Sequence, residues 1–342
     1  MRHTTLPFLL LTLSACAQYN GPESVEYDPV GDRYFVSNTG DNSIKQRAQN
    51  GTVTAFVSGL SQAPYGLELR DDTLYACTGG SVRAFRASDA TALFTVNVGG
   101  TFLNGIACDE HFVYATDFSG GRIYKIDPAD GSFTTLVAST GGQPNGIVYD
   151  PVANVLRVVF WGGNAKIKAY DRTTGSQVST FTTALTNIDG IAIDCNGNIC
   201  VSSWSPARIS SFEPTFTQAP INLGVTGISS PADLDFDEVH HVLCIPSSGN
   251  DEVVLADIAC SNGIDTKGYT AFTVAPDPTD GFLRVDLPLA GPTSFIVFDV
   301  RGLLVASGTL TPGAVVDLSA LKAGTYVLDL PSVRRFARVV KY

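Results

Sequence analysis

Apolar and polar residues alternate over short stretches along most of the chain, and the alternation returns at a nearly constant interval. Six segments align without gaps: Glu23–Asp28, Tyr65–Arg70, Asn104–Asp109, Asn145–Asp150, Asp189–Asp194 and Ala232–Asp237. Their starts lie 42, 39, 41, 44 and 43 residues apart. Each has apolar residues at its third and fifth positions, the period of a strand with a buried face. A second alternating stretch follows, as in Phe112–Thr116 or Ile199–Ser203. A turn rich in Gly, Ser and Asn then leads to a third, such as Arg122–Ile126. A fourth, such as Phe133–Val137, closes most units, and the sixth unit has three clear strands. Four antiparallel strands per repeat predict an all-β chain with a six-bladed β-propeller over residues 20–265. Packing the blades in a ring leaves few unprotected sheet edges.

Antiparallel strands reverse at each turn, so the start of each first strand and the end of each second strand share one face. The first strands are innermost, which brings Glu23, Tyr65, Asn104, Asn145, Asp189 and Ala232 to one mouth of the central channel. The stretches Asp117–Ser119, Trp161–Gly163 and Trp204-Ser205 rim it. Four of the six converging positions, Glu23, Asn104, Asn145 and Asp189, carry side-chain oxygens. Carboxylate and amide oxygens suit a hard divalent cation such as calcium, and two carboxylates would neutralise it. Without a cation the two would repel, and at least one would hold its proton more tightly. Asn-Gly and Asp-Gly are also ordinary turn dipeptides, whereas Glu23 is not a residue of that kind. Phe118, Trp161 and Trp204 would either wall the mouth with stacking rings or pack the structure. At the opposite face, Asp28, Asp109, Asp150, Asp194 and Asp237 end first strands and read as turn formers. His111 and the pair His240-His241 fall in turns on that same face, away from the acidic mouth.

Composition supports this reading. The chain is 44% hydrophobic and 16% charged, with 33 Gly, which suits many short strands joined by turns. The formal charge is −11; Arg2 supplies +1 and residues 270–342 a net +1, so residues 3–269 carry −13. That acidity argues against nucleic acid and anionic membrane surfaces as partners. At the N-terminus, Arg2, the apolar run Leu6–Leu13 and the small residues after it read as a signal peptide over residues 1–17. Ala15-Cys16-Ala17 fits signal peptidase I cleavage, leaving Gln18 first. Leu13-Ser14-Ala15-Cys16 also fits a lipobox, which would leave a lipidated Cys16 on an outer-membrane lipoprotein. Six further cysteines admit 15 pairings. Cys195 and Cys200 flank a turn and could staple it, or the thiols could lie free in strands.

After about residue 270 the repeat stops. Residues 271–342 show alternating stretches at Leu283–Leu287, Ser294–Val300, Val315–Leu318, Tyr326–Leu330 and Ala337–Tyr342. They predict a small Ig-like β-sandwich.

Two resemblances follow from motifs in these segments. The repeat region resembles the gluconolactonase and senescence-marker-protein (regucalcin-like) family of six-bladed metal-dependent propellers. The matching residues are Glu23 with Tyr27, Pro144-Asn145-Gly146, and the run from Asp189 to Val201 with its Gly197-Asn198 turn. The resemblance implies that Glu23, Asn145 and Asp189 ligate a divalent cation, with calcium expected and zinc, manganese or magnesium as alternatives. It further implies that Asp189 is the base that activates water against a sugar lactone or related ester. Asn104, Phe118, Trp161 and Trp204 are the expected substrate contacts. The family's Arg-x-Asn-Asp-Gly in the third blade is replaced by Thr101-Phe102-Leu103-Asn104-Gly105, which lacks the Arg. A non-catalytic surface propeller that binds a glycan, small ligand or protein shares the same repeat. No Gly-x-Ser-x-Gly elbow is present. The C-terminal segment resembles the type A sorting domain of type IX secretion in Bacteroidetes. It carries Pro276-Asp277-Pro278 with Gly281, Phe298-Asp299 with Gly302, Gly324-Thr325-Tyr326 and the end Lys341-Tyr342. This resemblance implies the type IX secretion machinery as partner, and release from the cell or attachment to its surface.

Overall fold

A computed structural model describes residues 18–260, 270–286, 291–300, 302, 304–311, 313, 315–330 and 335–342. The leader, with both readings of its cleavage, lies outside the described residues. The chain divides into two compact units, 1–260 and 261–342. No helix among the described residues is long and apolar enough to cross a membrane.

The first unit holds six antiparallel sheets built from consecutive strands; five have four strands and the last has three. The first strands of these sheets are Pro22–Asp28, Pro64–Arg70, Leu103–Cys108, Pro144–Asp150, Thr186–Ile193 and Asp235–Asp237. They fall on the six repeats read from the sequence. Each lies beside the first strand of the next sheet, and the sixth lies beside the first, where Asp233 N–H donates to the Glu23 carbonyl (2.8 Å).

Backbone contact sets that spacing. A Cβ on Gly66 would stand 2.3 Å from the Asn104 carbonyl, and one on Gly105 would stand 2.4 Å from that of Asn145. One on Gly146 would meet the Asp189 carbonyl at 2.7 Å, and one on Gly190 the Ala232 carbonyl at 2.5 Å. Only glycine allows neighbouring strands to approach so closely. Apolar side chains then fill each seam. One cluster joins sheets two and three through Tyr75, Val82, Ile106 and Val113. Another joins sheets six and one through Val242, Cys244, Val25 and Tyr34. Each fully buried large side chain contributes about 1.5–3 kcal/mol, so the seams supply most of the cohesion.

The disulfide differs from the staple that the spacing admits. Cys195 pairs with Cys260, 65 residues on, and ties the turn of sheet five to the end of the unit. Cys200 is buried and free, because its strand, Ile199–Ser205, turns it into the seam between sheets five and six.

The second unit has a five-stranded and a three-stranded sheet around one core. Leu283 and Val316 come from the smaller sheet; Val297, Leu328 and Val339 come from the larger. The sequence pattern does not predict the strand Leu304–Leu310, where Ala306-Ser307-Gly308 interrupts the alternation.

Candidate functional site

The residues expected at the mouth sit where the first strands bulge. In sheet one, Pro22 faces Asn38, but Val25 already faces Val36, which leaves one extra residue on the inner strand. The same slip occurs between Pro64 and Leu67, Leu103 and Ile106, Pro144 and Ile147, and Ile188 and Ile191. Such a bulge releases a residue from the ladder and re-aims its side chain. Glu23, Tyr65, Asn104, Asn145 and Asp189 are the first released residues. The next N–H in each bulge needs another partner. Ser37, Thr116 and Ser202 hydroxyls accept from Ser24, Gly105 and Gly190 (2.8 Å each). Thr116 and Ser202 in turn donate to the next sheet, at the Asn145 and Ala232 carbonyls (2.7 Å each).

Asn145 Nδ2 donates to Asp189 Oδ1 at 3.0 Å, which places these two side chains together. The Trp204 indole N–H also lies close enough to Asp189 to favour its charged form. Asn145 is 1% exposed, and its Oδ1 has no hydrogen-bond partner among the described residues. A buried amide oxygen left without a donor costs about 1–3 kcal/mol and calls for a partner. Glu23 stands within electrostatic reach of Asp189 and of Asp233. Burial, then the Asp233 charge, pushes the Glu23 carboxyl up to about 8. Burial, then the Glu23 charge, holds Asp189 well above the usual range against the opposing pull of Trp204 and Asn145. Asp233 is raised in the same sense, by burial and then by Asp189.

Asp233 is the residue that the sequence alignment misses. The repeat assigns the sixth axial place to Ala232, which is fully buried and bears no polar group. Asp233 follows it, at the position where four sheets have glycine, and accepts a hydrogen bond from Ser24 Oγ (3.2 Å). Asn104 is buried at 6% exposure, and the other expected contacts lie in one aromatic series: Phe118–Trp161 at 6.1 Å and Trp161–Trp204 at 4.9 Å between centroids. Among the described residues no three His, Cys, Asp or Glu side chains form a group that could hold a metal ion. A metal site here therefore has to draw on the Asn145 amide.

A second acidic tier lies further along the inner strands, at Glu26, Glu68 and Asp235. Asp235 accepts from Tyr27 N–H (2.8 Å), Glu26 from Leu69 N–H (3.1 Å) and Glu68 from Cys108 N–H (2.9 Å). Each carboxylate thus reaches the backbone of the next sheet in the ring. Burial is the main reason that Glu68 is pushed up to about 8 and Asp235 to about 6. The far-face aspartates are turn formers, as expected: Asp28, Asp109, Asp150, Asp194 and Asp237 each accept backbone N–H groups of the following turn. His240 lies in one of these turns with Nδ1 2.8 Å from Asp237.

No family model matches the chain, and no curated protein does. Solved structures do. The chain is similar to a nidogen/laminin complex at 18% identity and a TM-score of 0.53, covering 66% of this chain and 92% of that one. It is similar to a streptogramin B lyase at 13% identity and 0.54, covering 71% and 85%. A virginiamycin B lyase from Staphylococcus aureus gives 13% identity and 0.51, covering 71% and 86%. At these identities the likeness carries the fold alone, a β-propeller.

Proposed function

We propose that the first unit is a six-bladed propeller of the regucalcin-like kind whose mouth is a metal-dependent hydrolytic site for lactones or related esters. The single observation that carries this reading is the buried, unpartnered Asn145 Oδ1 beside the Asp189 carboxyl and near Glu23. Two carboxylates and an amide oxygen form a hard donor set that fits a divalent cation, with calcium first. Glu23, Asn145 and Asp189 would hold it, and the cation would displace the protons that burial and then crowding otherwise keep on the acids. When bound, such an ion polarises a carbonyl and makes water more acidic. Asp189 would take the proton from the attacking water and pass it to the leaving oxygen. Asn145 Nδ2 and the Trp204 indole would hold the Asp189 carboxylate in place. Asn104, Phe118, Trp161 and Trp204 would position the substrate.

A second reading, ligand binding without turnover, draws support from the third sheet, where Thr101-Phe102-Leu103-Asn104-Gly105 lacks the Arg of the family pattern. Metal analysis of the purified chain, paired with lactone hydrolysis by wild type and Asp189→Ala, separates the readings. Bound metal without turnover favours the second. Turnover that survives Asp189→Ala removes the assigned base.

We also infer export. The leader directs the chain to the periplasm, and the C-terminal unit engages the type IX secretion machinery for release or surface attachment. The Cys195–Cys260 disulfide supports an oxidising destination. Export lost on deleting residues 271–342, with the chain retained inside the cell, is the expected outcome.

A further inference from the structure

Five aromatic rings form one row at the mouth. Tyr65 meets Phe102 at 4.6 Å between centroids, and Phe102 meets Phe118 at 5.6 Å. Phe118 leads to Trp161 and Trp161 to Trp204. The row crosses sheets two to five. Phe102, Phe118, Trp161 and Trp204 belong to none of the core clusters that fill the seams. All five rings keep part of their surface, and Trp204 is 37% exposed. Tyr65 anchors one end on the core between sheets two and three, and rings that stand outside the cores and leave surface open are a platform.

Both ends of the row reach the acids. The Tyr65 hydroxyl lies within the field of Glu23, and the Trp204 indole within that of Asp189. A ligand on the row therefore meets ring faces beside the acids. Flat apolar rings gain from stacking there.

We propose that this row selects the substrate, and that the substrate class is an ester or lactone built on a flat aromatic ring, in preference to a polyol lactone. The proposal rests on the mouth being the hydrolytic site, but its binding half holds without catalysis. Both tryptophans of the chain, Trp161 and Trp204, lie in the row, so intrinsic fluorescence reads it directly.

The test compares dihydrocoumarin with δ-gluconolactone, two six-membered lactones, on the full mature chain. Calorimetry and tryptophan emission are followed in EDTA, and hydrolysis in calcium. Dihydrocoumarin should bind at least about tenfold more tightly and change the emission. Phe102→Ala should weaken it about three- to tenfold, the worth of one ring contact, and leave δ-gluconolactone unchanged. Phe102→Leu keeps an apolar side chain but removes the π face, so it should show the same loss if the alanine variant fails to fold. Equal affinity for the two lactones, unmoved emission, or equal losses for both would overturn the platform. Preferential binding of dihydrocoumarin with no hydrolysis of either would retain the platform and sink the hydrolase reading. Equal hydrolysis of both without a binding preference would do the reverse.

Discussion

The same strands carry acids at both ends, and the two sets live in opposite circumstances. At the far face, Asp150 accepts two turn N–H groups and pairs with Arg157 at 2.7 Å, both side chains being under 10% exposed. Asp109 accepts from two turn N–H groups, the Tyr114 hydroxyl and Arg172. Burial acts against the Asp109 charge, but those donors together hold its carboxyl below the ordinary value. At the mouth, Asp189 and Asp233 are also buried and Glu23 is half-buried, and each is pushed up, first by burial and then by a neighbouring carboxylate. Solvent exposure is similarly low for Asp109, Asp150, Asp189 and Asp233; supply of donors sets the two ends apart. Acids saturated by backbone and arginine hold turns, and acids left in surplus are available to a ligand.

The contrast can be broken most sharply at Asp189. Asp189→Asn keeps the shape and removes the charge, so hydrolysis should fall about 100-fold or more, the usual worth of a general base. The thermal midpoint should hold or rise as repulsion with Glu23 is relieved. A fall in midpoint together with unchanged turnover would reverse the assignment of this acid. Next, Arg157→Ala should cost about 3 kcal/mol in denaturant unfolding, because it strands a buried carboxylate, while activity per folded molecule stays level. Lost activity in stable protein would place function at the wrong end.

The pH response should be smaller and two-sided. Glu23 and Glu68 are raised to about 8 and Asp235 to about 6 in the fold. Between the unfolded carboxylate pKa and those values, the native state holds protons that the unfolded chain has released. Their contribution is therefore complete below the unfolded pKa and lost as pH rises through the folded values. Asp109, held low, works with the opposite sign: its contribution is present above the ordinary aspartate value and lost as pH falls through its folded pKa. In EDTA the midpoint should thus drop by roughly 3 °C or more from pH 5 to pH 8, and calcium should restore more at pH 8 than at pH 5. A flat profile would refute the surplus of acid. The smallest effect belongs to Val30, 91% exposed in a far-face turn. Val30→Ser should shift stability by no more than about 0.5 kcal/mol, with the midpoint as readout.

The repeat was legible because its apolar positions recur at fixed offsets, and Glu23, Asn145 and Asp189 could be read off as its first residues. Phe118, Trp161 and Trp204 were legible from their place after second strands. Asp233 was not, since a gap-free alignment puts Ala232 in the sixth place and an acid where sheets two to five have glycine. The bulges leave no mark in composition. Tyr65 and Phe102 look like ordinary strand and loop residues until the row joins them. The pairing of Cys195 with Cys260 depends on how the last sheet returns to sheet five, which no local spacing encodes.

The glycine contacts between inner strands have one more consequence. With main chain resting on main chain at Gly66, Gly105, Gly146 and Gly190, the bore of the channel is gauged by the polypeptide itself. The residues released just ahead of those glycines can then be exchanged, acid for amide or ring for acid, without resizing the bore, so the scaffold can be refitted for a different guest one position at a time.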